Sequence, residues 1–512
     1  MRKSLPLLLA PVLMVWLLAG CSSSMVGSSG SALSANSTPV SLSMTDDPPA
    51  GVSVLFFQVS LTDATLTPAS GSPVSLLNNN TPIQIDVTQL QALSAFLSTA
   101  NVAAGTYNSL SLTFANPDLV IFNKSNTAIA STCAVGTVCE ITPTMNSATL
   151  NFTTSPFPLT LSASSPLGLM VDFHLNKVVQ PDLSVNLSVT NGVTVEQMAK
   201  TPKEHLGHVT GTVQSVNASQ NSFTMLTRWG WTLTIDTGSS TTFSSFPVSA
   251  CTTQGFGCVA QGQVVRVDVS SIASGVVQAS DVTYMQEAGQ QMVEGTIIGL
   301  SGPTSTNTSA PWTITMILHR RPFNDDSIPM GGQAQVTVDS GATFAVDAQG
   351  ATMPAGVTFA SGSNLYVGQN VQVVMDPGSM SAVSASNMHE GWGPARSFSF
   401  TTKSVQLEPS QVTGVVTTIG KTSAGDNEFD LGLGFGPWFA DWPMAMSASN
   451  TLTFHVVPTA SATYRGFTPD DFTGITTNDM VSVRGWLFAP ASSGDSPTIV
   501  ATSVVSRPGR DF

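Results

Sequence analysis

The chain has 512 residues and a formal net charge of −14, a length that suits about three or four domains, each large enough to bury a core. Charged side chains make up 9% of it against about 25% in typical soluble proteins, so Ser, Thr, Asn, Gln and Gly take the surface positions, as suits an extracytoplasmic β protein. The acidic balance repels phosphate backbones and anionic headgroups at a distance and argues against nucleic acid as a partner.

At the start, Arg2 and Lys3 precede an apolar run from Leu7 to Leu18, which closes on Leu18-Ala19-Gly20-Cys21. The run is shorter than the roughly 20 residues of a spanning helix. A basic start, a short apolar stretch and small residues at its end form the pattern of a secretory signal. The last four residues resemble a bacterial lipobox. That resemblance implies cleavage before Cys21, a diacylglycerol thioether on Cys21 and an exported body tethered to the membrane by that lipid. Ser22 and Ser23 stand where an aspartate would direct retention at the inner membrane, so the same family rule points to the outer membrane. Residues 22–39 hold few large apolar groups and read as a flexible tether.

Order is expected from 40 to 198. Leu110, Leu112 and Phe114 alternate with Ser109, Ser111 and Thr113, and Leu183, Val185, Leu187 and Val189 alternate with Ser184, Asn186 and Ser188. Both patterns, and the long run from Val52 to Leu66, predict half-buried strands. Asp86 with Gln89 makes a start like a capping box, and Val87, Leu90, Leu93 and Leu97 then share one face of a predicted helix. Leu42-Ser43-Met44-Thr45-Asp46-Asp47-Pro48, the Leu-rich segment, Ala104-Gly105-Thr106-Tyr107 and Leu169-Met170-Val171-Asp172-Phe173 follow in an order and spacing that resemble the domain-of-unknown-function family numbered 4382. The resemblance implies an immunoglobulin-like or transthyretin-like sandwich with no established activity. His174 stands where that family tends to have a second aspartate, so no carboxylate cluster is carried over.

Setting Cys21 aside, the five cysteines leave Cys133 with Cys139 and Cys251 with Cys258. Neither spacing is the C-x-x-C of redox or zinc sites, and an oxidising compartment favours two local disulfides over buried thiols.

After a linker at 201–207 an internal repeat begins. Its opening strand reads Val209-Thr210-Gly211-Thr212-Val213, then Val293-Glu294-Gly295-Thr296-Ile297, then Val412-Thr413-Gly414-Val415-Val416. Each copy continues through a strand with Phe223, Trp312 or Phe429, a third strand, and a Thr-aromatic pair (Thr242-Phe243, Thr343-Phe344, Thr463-Tyr464). A fourth strand follows, and a last strand is expected at 279–282, 385–388 or 501–504. Five short strands with Gly-rich turns predict a small closed barrel of the OB type. The units resemble another uncharacterised family, numbered 5666, found in exported bacterial proteins. The expected architecture is all-β: an N-terminal immunoglobulin/transthyretin-like β-sandwich with one short helix, then three OB-like β-barrel units over 208–287, 291–390 and 396–508. Their starts are unevenly spaced, so they read as separate beads and not as a solenoid.

The chain carries no G-x-S-x-G elbow, H-E-x-x-H helix or phosphate-binding glycine loop. Asp46-Asp47, Asp325-Asp326 and Asp470-Asp471 lack the ladder of a calcium loop and read as turn aspartates. His174, His205, His208, His319, His389 and His455 share no ligand spacing; His205 with His208 in the linker comes nearest to a metal pair. No catalytic residue, metal or cofactor is therefore assigned. Aromatic and basic residues collect in the barrel loops, at Arg228-Trp229-Gly230-Trp231, His319-Arg320-Arg321-Pro322-Phe323 and 435–443. Their rings either fill the barrel ends or stack on a ligand. The second reading assigns Trp229, Trp231, Trp438 and Trp442 to an uncharged or weakly charged ligand, either an envelope glycan or a hydrophobic protein partner. Two functions follow: a non-enzymatic envelope lipoprotein that binds or scaffolds, or an envelope hydrolase acting on glycans with carboxylates gathered from different loops. Two carboxyl groups facing one cleft about 5–10 Å apart would favour the hydrolase.

Overall fold

The computed structural model describes residues 37–47, 53–77, 82–90, 95–123, 127–129, 131, 133–162, 167–198, 208–227, 232–247, 251–273, 276–287, 291–304, 306–322, 327–348, 351–384, 392–422, 425–433, 452–492 and 494–507. They form an all-β chain: two facing sheets, then three closed barrels. No helix among the described residues is long and apolar enough to cross a membrane.

One sheet of the sandwich runs in the order Val193–Met198, Leu167–His174, Ser37–Asp47, Ala95–Ala103. The other is built on a long antiparallel pair, Ser53–Pro68 against Gly105–Phe122. Ile83–Asp86 joins the first of these strands, and Val138–Ile141, Thr149–Phe152 and Leu159–Leu161 join the second. The alternation read from the sequence places Leu110, Leu112 and Phe114 in the core while Ser109, Ser111 and Thr113 stay half-buried. Phe114 meets Phe173 of the opposite sheet edge to face, with ring centroids 5.3 Å apart. Burying each such side chain contributes about 1.5–3 kcal/mol.

Two sandwich expectations need correction. The helix predicted from Asp86 to Leu97 is a single 3-10 turn, Val87–Leu90, and the chain returns as the strand Ala95–Ala103. Asp86 Oδ1 accepts the Thr88 N–H at 3.1 Å and starts the turn. Pairing with Ser37–Asp47 then satisfies the next backbone stretch, a long-range gain that a short isolated helix cannot match. Around Leu183–Val189 only Val185–Asn186 pairs, with Met145–Asn146. Asp182 and Asn186 accept the N–H groups of Ser184 and Ser188, so side-chain turns replace the ladder. Leu183, Val185 and Leu187 still point inward.

Each barrel closes five strands in the order first, second, third, fifth, fourth. The first comprises His208–Asn217, Ser222–Thr227, Thr232–Ser244, Gln263–Ala273 and Val276–Glu287. The second comprises Met292–Ser301, Trp312–Arg320, Gln333–Val346, Asn370–Met375 and Ser397–Glu408. The third comprises Ser410–Lys421, Asn427–Leu433, Leu452–Arg465, Met480–Phe488 and Thr498–Ser506. In all three the third and fifth strands are parallel, and their register jumps just before the Thr-aromatic pair, at Thr237/Thr242, Val338/Thr343 and Pro458/Thr463. The repeated signature thus marks where the long third strand bends to close the barrel. The repeated glycine is explained in the first two copies: a Cβ on Gly211 or Gly295 would strike the carbonyl oxygen of Leu226 or Ile317 on the second strand. Gly295→Ala is expected to lower stability by about 1–3 kcal/mol, the usual range for overpacking. Urea unfolding of the variant checks this, and an unchanged midpoint would refute it.

The last strand of the second barrel is Ser397–Glu408, which pairs along Gln333–Val346. The segment 385–388, expected in that role, lies outside the described residues. The second unit therefore extends past 390, and residues 397–408 belong to it and not to the third. Phe398 and Phe400, then Val405 and Leu407, carry the inward alternation of that strand. Only Pro409 separates it from the third barrel.

The barrels are not separate beads. Trp486, Phe488 and Val500 of the third are buried with the core of the second. Leu55, Phe56, Val120 and Phe122 of the sandwich share a cluster with Ile298, Ile317 and Ala395 of the second barrel. The short strand Trp392–Pro394 also adds to the sandwich sheet beside Val138–Ile141. Apolar burial between units, absent from the sequence pattern, converts three modules and a sandwich into one packed body.

Candidate functional site

Three clusters of charged or titratable side chains lie where the domains meet. At the seam of the first and second barrels, Arg266 lies on the fourth strand of the first, with its side chain 5% exposed. Its Nη2 donates to Asp347 Oδ2 at 3.1 Å and its Nη1 to Glu408 Oε2 at 3.4 Å. Ser245 Oγ donates to the other oxygen of Asp347 at 3.1 Å, and Gln406 Nε2 to the other oxygen of Glu408 at 3.2 Å. One guanidinium thus serves two carboxylates. Burial and the nearby Asp347 push the Glu408 carboxyl up to about 8 despite Arg266. Arg266 is held protonated: burial opposes its charge, but Glu408 and Asp347 raise its pKa above the ordinary value.

The same device recurs between the sandwich and the second barrel. Arg396 Nη2 donates to Asp118 Oδ2 at 3.1 Å and lies against Glu140, whose Oε2 also accepts the Arg396 backbone N–H at 3.0 Å. Glu140 is fully buried. Burial, and then Glu140, push Asp118 up to about 7, with Arg396 pulling the other way. Because Trp392–Pro394 is paired with Val138–Ile141, the strand places Arg396 directly over these acids.

A third cluster joins the sandwich to the second barrel. Asp86 Oδ1 is held by the Thr88 backbone N–H and hydroxyl, and Oδ2 lies 2.7 Å from His319 Nδ1. With the ring proton on Nδ1, Nε2 accepts the Thr296 hydroxyl at 2.9 Å. In this order the imidazole can take the hydroxyl proton while the carboxylate orients and stabilises the ring, as in nucleophilic hydrolases. Acyl transfer further needs free donors for an oxyanion. Nearby, Asn370 Nδ2 donates to Glu294, Gln411 Nε2 to the Gln89 carbonyl and the Gly368 N–H to the Ile297 carbonyl. The cluster ties the sandwich to the second barrel.

Of the residues assigned from sequence, Cys133 bonds Cys139 and Cys251 bonds Cys258, with Cα separations of 5.6 Å and 5.2 Å. Cys21, Trp229, Trp231, Trp438 and Trp442 lie outside the described residues. Asp470 and Asp471 accept the N–H groups of Phe467 and Thr473, as turn aspartates do. His319, read as a loop residue, instead ends a strand and is buried. Among the described residues no group of three or more His, Cys, Asp or Glu could hold a metal ion. Sequence reasoning missed Arg266, Arg396, Asp86 and Thr296. The one available signal was a charged residue inside an apolar strand, as Arg266 is within Val264-Val265-Arg266-Val267.

No curated protein matches the chain. A solved structure, the wild-type single-stranded DNA binding protein from Thermus aquaticus, is similar at 13% identity over 44% of this chain and 94% of that one, with a TM-score of 0.15; a likeness at that level bears on neither fold nor function. Residues 37–189, which span most of the sandwich, match the family model described as Domain of unknown function (DUF4382).

Proposed function

We propose that this protein is a non-enzymatic lipoprotein of the cell envelope, anchored at the outer membrane through a lipid on Cys21, whose sandwich and barrels act as one binding or scaffolding body. The observation that carries the reading is the pair of buried seams, where Arg266 and Arg396 each tie two carboxylates across a domain boundary. A body joined in this way holds its loops in fixed relation, which a docking platform requires. Leu18-Ala19-Gly20-Cys21 supports the anchor, and the shared strand order supports reading the barrels as relatives of family 5666. The partner is an envelope glycan or protein that meets Trp229, Trp231, Trp438 and Trp442; no nucleic acid and no cofactor enter this reading. The hydrolase alternative draws no support from Asp347 with Glu408 or Asp118 with Glu140, since each of these acid pairs is engaged by an arginine.

Mass spectrometry of the mature protein is expected to find Cys21 as a lipidated N-terminus; a retained 1–20 segment or an unmodified Cys21 would refute the anchor. A screen of envelope glycans and proteins against the body lacking residues 1–38 tests the rest. Changing the four tryptophans to alanine is expected to abolish binding at unchanged stability. Lost stability with binding intact would make them barrel plugs.

A further inference from the structure

Where the sandwich meets the second and third barrels, a partly open pocket of about 40 Å³ has a polar side formed by Thr88, Thr296, His319, Asn370 and Ser410 and an apolar side that includes Leu55. Asn370 is only 5% exposed. Its Nδ2 donates to Glu294 Oε1 at 3.0 Å, and because a carboxylate only accepts, the amide's orientation is set. Its Oδ1 meets no protein donor, an unfavourable state for a buried carbonyl. With the His319 ring proton on Nδ1, towards Asp86, the Thr296 proton is directed to Nε2 and Thr296 Oγ1 offers lone pairs. Ser410 Oγ accepts the Asn370 backbone N–H at 2.8 Å and has a proton of its own to donate.

The geometry points to ordered water as the ligand of this cavity: a small cluster that donates to Asn370 Oδ1 and Thr296 Oγ1 and accepts from Ser410. Size decides between water and an organic ligand. A water needs roughly 10–15 Å³ of such space, so the site holds about three, whereas pockets for organic ligands run to about 300–1,000 Å³. The polar side, with Asn370 Oδ1, Thr296 Oγ1 and Ser410 Oγ, can supply the two to four partners that an ordered water takes. The cluster extends the hydrogen-bond chain from water through Thr296 and His319 to Asp86, in which each bond polarises the next. It also joins three domains through groups that come together only in the assembled chain.

The test is a crystal structure of the exported body at a resolution that shows ordered solvent, with water relaxation dispersion in solution to detect long-lived molecules. Solvent density is expected within about 2.7–3.2 Å of Asn370 Oδ1 and of a second lining atom. Thr296→Val keeps the shape and removes the hydroxyl, so the variant is expected to fold, with one fewer long-lived water. Asn370→Leu is expected to displace the remainder. Four results would each overturn the inference: no peak at Asn370 Oδ1; a glutamine side chain filling the space; density for a larger co-purified molecule; or Thr296→Val with unchanged solvent.

Discussion

Arg266→Ala is expected to destabilise the protein by about 3–5 kcal/mol, because it leaves Asp347 and Glu408 buried without their cation. Both acids are about 1% exposed, so water cannot take over the role of the guanidinium. The loss is expected mainly at the contact of the first and second barrels, since Arg266 and Ser245 reach across from the first to acids of the second. Urea unfolding should become biphasic, with the first barrel melting early. A companion variant separates the value of the ion pair from the penalty of an orphaned charge: Arg266→Met with Asp347→Leu and Glu408→Met is expected near wild-type stability, as apolar replacements of buried ion pairs often are. A wild-type midpoint for Arg266→Ala alone would mean that the seam does not hold the barrels together.

Asp118→Asn is expected to stabilise the protein increasingly as pH rises from about 4 to 7. A carboxyl whose folded-state pKa is raised binds its proton more tightly in the folded chain, so its contribution to stability is greatest below the unfolded value and falls as pH climbs towards the folded one. For Asp118 those limits are the ordinary aspartate value of 3.8 and about 7. The cause is burial first, then Glu140, which shares Arg396 with it. Each tenfold gain in proton affinity corresponds to roughly 1.4 kcal/mol, so the full effect is on the order of 4 kcal/mol. Asparagine imitates the protonated acid, so the two proteins should match near pH 4 and diverge until about pH 7. Thermal or urea unfolding across that range gives the difference curve. A variant that loses ground to wild type as pH rises would show that the Arg396 ion pair outweighs burial. Glu408 follows the same sign with a higher upper limit, so the wild-type seams are expected to tighten on mild acidification.

Much of the architecture was legible in the residues because its causes are local. Strand alternation at Leu110, Leu112 and Phe114 survives folding, since a sheet shows opposite faces at successive positions. The cysteine pairs are six and seven residues apart, close enough that the chain itself brings them together. The Thr-aromatic pair recurs because every barrel must bend its third strand at the same place. The misreadings came where a local pattern had two solutions. Val87 and Leu90 suit a helix face and also a buried turn, and only pairing with Ser37–Asp47 decided between them. Residues 397–408 alternate as a strand should, but which barrel they close depends on Gln333–Val346.

By itself the sequence determined an all-β chain, three repeated barrels, two local disulfide bridges and a low content of charged side chains. Only the tertiary structure decided where the remaining charges act. Arg266 meets Asp347 and Glu408 at separations of 81 and 142 residues, Arg396 meets Asp118 at 278, and His319 meets Asp86 at 233. No periodicity links such positions, because hydrophobic pattern and turn chemistry act over a few residues. The partner of a buried charge is set instead by which faces of separately folded units fit together and exclude water.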